Sequence, residues 1–329
     1  MVAVAAVAAW LGQVLGRTVE VRGAARMQGG AIQHNWALDA VVDGVPDPLV
    51  LRTDAPSSLD VSRSRPEEYA ILRAAFAAGA AVPEPLALCG DAAVTGRPFF
   101  VMRRVAGIAA GHLVVRRDDL GGGREALAGT LGRELARIHS IRPPRPDLAF
   151  LHLDPRPPAA RFIAEQRASL DRAGEHRPVL EWGLRHLERT IPGSTALVLC
   201  HNDFRTGNLM VNESGVTGVL DWEFAAWGDR LEDIGWFCAR CWRFGSAHEA
   251  GGIGSRAAFY AGYEAESGHL VPRDDVGWWE MAATIRWAVI ALDQAARHRS
   301  GRERNLELAL TGHVVPELEW DVLRMTGHA

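Results

Sequence analysis

The chain contains no lysine: all 36 basic residues among its 329 are arginine. That excludes a Walker A lysine, Schiff-base chemistry and a serine–lysine dyad. Any fixed cation on a nucleotide's phosphates must therefore be a guanidinium. Cysteine is scarce as well, with only Cys89, Cys200, Cys238 and Cys241. The Cys238 and Cys241 pair has the spacing of half a zinc or redox site. No second pair completes it, and it lies in an apolar, Trp-rich run that reads as helix, so buried thiols in a reducing cytoplasm are the expectation. Long apolar runs are missing too. Met1–Leu15 is rich in Ala and Val, but it lacks a basic start and is interrupted by Gly12 and Gln13, so it reads as a buried first helix and not as a signal or membrane span. A net charge of −4 gives no electrostatic footprint for nucleic acid. The length fits two lobes, and 48% hydrophobic with 23% charged residues is ordinary for a globular chain.

What is present is one chemically dense stretch, Cys200–Glu223. It holds His201-Asn202-Asp203, then Asn208, then an apolar run ending at Leu220 and followed by Asp221. These residue types fit phosphoryl transfer. Such a site must hold Mg²⁺ against nucleotide phosphates and orient a hydroxyl toward the γ-phosphate. Mg²⁺ takes a carboxylate and other hard oxygens. Asp221 at a strand end supplies the carboxylate, Asn208 the amide oxygen, and Asp203 would accept the proton of the substrate hydroxyl. Asn208 follows Asp203 at the interval of the protein-kinase catalytic loop, with Asn202 where that loop has Arg.

The string resembles the aminoglycoside phosphotransferase family of small-molecule kinases, whose pattern is HGDxxxxN, a hydrophobic strand, then DWE. The resemblance implies a protein-kinase-like, two-lobed α+β fold. Residues 1–106 would be a small sheet-based N-lobe and residues 107–329 a larger, mostly helical C-lobe, with ATP between them. Strands are expected at Val19–Met27 and Asn35–Val42 around a nucleotide-covering turn with Gly29, Gly30 and Ala31. This turn resembles the family's GGxSxxT loop, with Ile32 and Asn35 at positions where hydroxyl residues are usual. Backbone N–H groups would therefore make the phosphate contacts there. On the next strand, Pro48–Thr53, Arg52 takes the position of the family's α/β-phosphate cation. Of the two glutamates on the helix Pro66–Ala78, the resemblance selects Glu68 as the partner of Arg52. Glu67 reads as a first-turn carboxylate favoured by the helix dipole. Backbone around Met102, Arg103 and Val105 would meet the adenine.

The resemblance also implies that His201 holds the loop's shape and Glu223 braces the metal loop. His139 reads as structural, and Asp229 and Asp233 as capping or loop-bracing carboxylates. Helices Ala159–Ala173 and Val179–Arg189 would contribute to the acceptor wall. Asp274, Asp275, Glu280 and Asp293 are either acceptor-binding carboxylates or solvated helix faces. Trp278, Trp279 and Trp287 either line a pocket or pack helices. The expected activity is ATP- and Mg²⁺-dependent phosphorylation of a small-molecule hydroxyl, on an aminoglycoside-like antibiotic or a metabolite. No nucleic-acid or membrane partner is expected. The spelling around the hinge and near Ser267–Pro272 is similar to a subgroup that includes the kinase-like domain of certain acyl-CoA dehydrogenases, which makes a hydroxyacyl-CoA an alternative acceptor. A nucleotide-binding pseudokinase scaffold is the alternative from another class.

Overall fold

A computed structural model of the chain describes residues 3–27, 33–54, 63–193 and 196–328. The first part is built on an antiparallel sheet. Helix α1 (Val4–Leu15) leads into strands β1 (Val19–Arg26), β2 (Gln33–Val42), β3 (Val45–Pro46) and β4 (Leu49–Asp54). Helix α2 (Arg65–Ala77), β5 (Pro85–Cys89), a short α3 (Ala92–Thr95) and β6 (Phe99–Arg103) complete it. The sheet order is β1-β2-β4-β6-β5, with β3 paired to β2. The strands expected at 19–27, 35–42 and 48–53 are present within a residue or two at each end.

Alternation along a strand sends successive side chains to opposite faces. Leu49 and Leu51 of β4 and Phe99 and Val101 of β6 form one cluster with Val7 and Leu11 of α1. Trp10 meets the Phe99 ring edge-on, centroids 4.9 Å apart. Phe100, one residue on, belongs to the other cluster with Ile71, Leu72 and Ala75 of α2. Arg52 is registered opposite Phe100. It therefore points to the α2 face, where Glu68 waits.

The entry to α2 separates the two neighbouring glutamates. Ser64 is the N-cap, and Glu67 closes a capping box: its Oε2 accepts from the Ser64 N–H at 2.9 Å and from the Ser64 hydroxyl at 2.9 Å. Glu68, a further 100° round the helix, is 2% exposed and faces the sheet.

The second part is mostly helical. It comprises α4 (Gly111–Val114), α5 (Arg124–His139), α6 (Pro158–Ala173), α7 (Pro178–Arg189), β7 (Leu197–Cys200), β8 (Leu209–Asn212), β9 (Gly215–Val219), β10 (Ala226–Asp229), α8 (Arg230–Cys238), α9 (Arg256–Ser267), α10 (Arg273–Arg299), α11 (Leu306–Thr311) and α12 (Val315–Met325). Two small antiparallel pairs, β7 with β10 and β8 with β9, carry the dense stretch. Helices α5 and α9 touch backbone to backbone. A Cβ on Gly262 would lie 1.9 Å from the Gly129 carbonyl oxygen, and one on Gly132 would lie 2.1 Å from that of Phe259. Only glycine permits this approach. It brings the C-terminal ends of both helices, with His139 and Tyr263, beneath the dense stretch. The two-lobed α+β architecture expected above is the one observed.

The two glutamates predict different costs. Glu68→Ala strips a buried guanidinium of its main partner and is expected to cost about 3–5 kcal/mol. Glu67→Ala removes half a capping box and should cost about 1 kcal/mol. Urea denaturation of both variants checks this, and equal small losses would contradict the division.

Candidate active site

From the small lobe, an alternating row of charges runs to the dense stretch. Arg65 Nε lies 2.8 Å from Asp54 Oδ1, and its Nη1 pairs with Glu68. Glu68 then meets Arg52 twice, Oε1 to Nη2 at 2.8 Å and Oε2 to Nε at 3.1 Å. Arg52 Nη2 reaches Asp221 Oδ1 at 3.0 Å, and its Nη1 donates to Asn35 Oδ1 at 3.3 Å. Burial works against the Arg52 charge, but Glu68 and Asp221 outweigh it and hold the guanidinium above its ordinary value. A second tie crosses from the start of α2. The Arg63 N–H donates to the Glu223 carbonyl at 3.2 Å, and its guanidinium donates to the Ala225 carbonyl at 3.3 Å.

From the large lobe, β7 ends at Cys200 and the chain turns sharply, with Asn202 at φ 63°. Asp233, fully buried near the start of α8, fixes that turn. Its carboxylate accepts the His201 N–H at 2.6 Å and the Asn202 N–H at 2.7 Å. His139 Nε2 meets the same carboxylate at 3.1 Å, and His139 Nδ1 meets the Tyr263 hydroxyl at 2.9 Å. Burial alone would raise the Asp233 carboxyl, but the His139 contact and the loop N–H groups hold it below its usual range. The His201 ring spans the loop. Its Nδ1 accepts the Asp203 N–H at 3.2 Å, which assigns the Nε2 proton to the Leu220 carbonyl at 2.9 Å. Burial lowers the His201 pKa, consistent with a neutral ring in that tautomer. His139, Cys200 and Asp233 place potential ligand atoms within 4.8 Å of one another. They are already engaged: the Cys200 thiol donates to the Asp229 carbonyl at 3.2 Å and is pushed well up by burial. The group braces the loop.

Asp203 emerges from this frame with its side chain 14% exposed. Oδ1 accepts from Arg205 Nε at 3.0 Å and from Trp236 Nε1 at 3.1 Å, while Oδ2 accepts from Asn208 Nδ2. Asn208 is buried, and with its amide nitrogen turned to Asp203, its oxygen faces away. Among the described residues nothing donates to that oxygen. The Leu220 N–H donates to the Asn208 carbonyl at 2.8 Å, so the β8–β9 pair sets Asn208 beside Asp221. Asp221 adopts φ 63°, ψ 67°, and its side chain is 40% exposed. An amide oxygen and a carboxylate side by side form a hard-oxygen donor set that fits Mg²⁺. The charged row holds three carboxylates against two guanidiniums, which also favours a cation at its Asp221 end.

The structure thus brings Arg52, Glu68, Asn208, Asp221 and Asp203 to one cleft between the lobes. Gly29, Gly30 and Ala31 lie outside the described residues. At the hinge, the Arg103 N–H donates to the Glu84 carbonyl at 2.9 Å, and the Arg104 N–H to the Pro48 carbonyl at 2.9 Å. The N–H groups of Arg103 and Arg104 are thus engaged within the small lobe, while Met102 packs half-buried against the core. Asp229 caps α8 through the Leu231 N–H at 2.9 Å, as expected of it. Glu280 is corrected on both of its readings. It is buried and paired to Arg256, so it is neither a solvated face nor a carboxylate open to an acceptor. Trp278 and Trp279 are core residues, with the Trp278 indole N–H donating to the Leu187 carbonyl at 3.0 Å.

Two residues that hold Asp203 escaped the sequence reading. Arg205 follows it by two positions. Trp236 follows Asp233 by three, one helical turn, so a single face of α8 braces the loop backbone with Asp233 and the Asp203 side chain with Trp236. The helical spacing from Asp233 was the available signal.

The model of the phosphotransferase enzyme family matches residues 23–270. Among curated proteins, the chain is 32% identical over 202 residues to acyl-CoA dehydrogenase family member 10 of Mus musculus, covering 58% of this chain and 18% of that protein. It is 29% identical over 198 residues to acyl-CoA dehydrogenase family member 11 of Rattus norvegicus, covering 56% of this chain and 24% of that protein. The chain thus spans less than a quarter of the length of these relatives. Among solved structures, a protein of Ralstonia eutropha assigned as an aminoglycoside phosphotransferase superposes with a TM-score of 0.72 at 24% identity, covering 97% of this chain and 98% of the other. A spectinomycin phosphotransferase solved with ADP and spectinomycin gives 0.64 at 14% identity, covering 95% and 97%. These likenesses establish the fold. Among the described residues no helix is long and apolar enough to cross a membrane.

Proposed function

The chain belongs to the phosphotransferase enzyme family, and from that premise we propose that it is a phosphotransferase with an alcohol group as acceptor, transferring the γ-phosphoryl group of ATP to a hydroxyl of a small molecule in the cytoplasm. The observation that carries the reading is the Arg52 guanidinium, held by Glu68 and 3.0 Å from Asp221, beside the Asp203–Asn208 pair. The nucleotide would lie between residues 1–106 and 107–329, with the backbone of Met102–Val105 at its base and the Gly29-Gly30-Ala31 turn over its phosphates. Mg²⁺ would be held by Asn208 and Asp221 and would neutralise charge on the phosphate oxygens.

The protein's own groups have separable tasks. Arg52 would meet the α- and β-phosphates, and Glu68 fixes its fork so that no rotamer search accompanies binding. Asp203 would orient the acceptor hydroxyl and accept its proton. It already receives three donors, which leave its carboxylate one geometry. Asp233 and His201 fix the loop that carries it, and Glu223 braces the metal loop. The acceptor is an aminoglycoside-like antibiotic or a metabolite. The similarity to the acyl-CoA dehydrogenase family members makes a hydroxyacyl-CoA a second candidate. The intact Asp203, Asn208 and Asp221 favour an enzyme over a nucleotide-binding scaffold.

Two variants test the assignment. Asp203→Asn should leave ATP affinity nearly intact and lower turnover by about a hundredfold or more; turnover within a few-fold of wild type would remove Asp203 from its role. Asp221→Ala should abolish Mg²⁺-dependent ATP binding while the fold survives. Calorimetry with and without Mg²⁺ reads this directly, and unchanged affinity with unchanged metal dependence would overturn the metal assignment.

A further inference from the structure

The acceptor side of Asp203 is cationic, and the aromatic faces beside it are already covered. From this we infer that the acceptor alcohol carries an anionic group, a carboxylate or a phosphate, that pairs with Arg286. The inference rests on the reading of Asp203 as the group that binds the reacting hydroxyl.

Three tryptophans cluster next to Asp203. Trp236 donates its indole N–H to Asp203, its ring centroid is 5.1 Å from that of Trp242, and Trp242 is 4.8 Å from Trp287. Taken alone, this is the composition of a cage for an ammonium group. Here the chain's own cations occupy it. The Arg205 guanidinium lies over Trp242 at 4.6 Å, and that of Arg286 over Trp236 at 4.7 Å. Trp236 and Trp242 are otherwise buried, so neither offers an open second face. An ammonium-bearing acceptor would have to displace one guanidinium while facing the other.

The two arginines differ in how their charge is answered. Arg205 is paired with Asp203 at 3.0 Å. Arg286 has no hydrogen bond or ion pair among the described residues. The carboxylates Glu280, Asp321 and Glu232, on its own helix and on helices packed against it, pair with other groups. Glu280 pairs with Arg256 and is approached by Arg243 at 3.8 Å, and Asp321 pairs with Arg240. Glu232 feels the Arg286 charge, but it is buried and engaged by Arg161 at 3.2 Å and by the Asp229 N–H at 3.0 Å, and burial pushes it up to about 7, which weakens it as a counter-charge at neutral pH. Arg286 is thus a half-buried cation stacked on the indole that touches Asp203, with no hydrogen bond or ion pair of its own among the described residues. A planar, five-donor guanidinium in that position suits an oxyanion on the molecule whose hydroxyl sits at Asp203. The same field disfavours polycationic acceptors.

The test uses one three-carbon skeleton in four charge states: glycerol, glycerate, glycerol phosphate and serinol, the amino analogue. Each is titrated into the full chain with Mg²⁺ and a non-hydrolysable ATP analogue, with tryptophan fluorescence as the readout. At least one of the two anions should bind about tenfold or more tightly than glycerol, with serinol the weakest. Which anion gains more separates carboxylate from phosphate. Arg286→Gln should erase the preference, and Arg286→Lys should keep most of it. Serinol binding as well as the anions, no anion preference, or a preference that survives Arg286→Gln would overturn the inference. Binding of the ATP analogue is measured separately by calorimetry. If the analogue binds and the anion preference is absent, the inference fails and the phosphotransferase reading stands.

Discussion

Everything in the cleft depends on a buried ion pair, Arg52 with Glu68. A chain without lysine has only guanidinium to place against phosphates, and a guanidinium 5% exposed needs a fixed counter-charge. Glu68 supplies it from the facing helix. The fork geometry makes the substitution workable, because two nitrogens engage Glu68 while one of them still reaches Asp221 in the other lobe. A lysine ammonium could not span that set as a planar unit. The row continues through Arg65 to Asp54, so the end of β4, the start of α2 and the Asp221 loop are bound by one alternating network. The row has a carboxylate at each end, Asp54 and Asp221, and Asp221 is the end next to Asn208.

The large lobe answers with rigidity of a different kind. The loop that carries Asp203 has left-handed backbone at Asn202, a conformation that needs support. Support comes from below, where Asp233 takes two consecutive N–H groups and is itself held by His139, whose other ring nitrogen meets Tyr263. Those two side chains meet because α5 and α9 cross at glycines, so helix packing away from the loop helps to set the position of Asp203. The result is a site whose donors are oriented before any ligand arrives, which is how a fold contributes to phosphoryl transfer when the chemistry offers little covalent work.

Much of this was legible in the sequence, for identifiable reasons. The Asp203–Asn208 interval and the strand before Asp221 are local, and local spacing survives folding. The family resemblance pointed to Arg52 and Glu68 by position in the chain, and the strand register and the capping box of Glu67 give the physical reason the two meet. The bracing roles of His139 and Asp233 were also readable in kind, but the contact between them joins residues 94 positions apart, which no spacing reveals. Trp236 was missed because its indole N–H reaches Asp203 from another element, with only its one-turn spacing from Asp233 as a signal, whereas Arg205 lies two residues from Asp203 and was simply not weighed. Glu280 was misread because amphipathic helices usually turn carboxylates to solvent, and the arginines that reach it, Arg256 of α9 and Arg243 of the segment before α9, arrive from elsewhere in the chain. The tryptophan and arginine cluster beside Asp203 is assembled from α8, α10 and the loop after α8, and no one of those segments shows it alone.

The central claim, that Arg52 and Glu68 act as one unit in place of a lysine, is tested most directly by a double-mutant cycle on ATP dependence. Arg52→Ala, Glu68→Ala and the double variant, each checked for folding, are compared with wild type in ATP affinity and in turnover. The account predicts that Arg52→Ala raises the ATP requirement and slows transfer, that Glu68→Ala does so to a smaller degree, and that the double variant is much less impaired than the product of the two losses. Wild-type ATP dependence in both single variants, or losses that simply multiply, would contradict it.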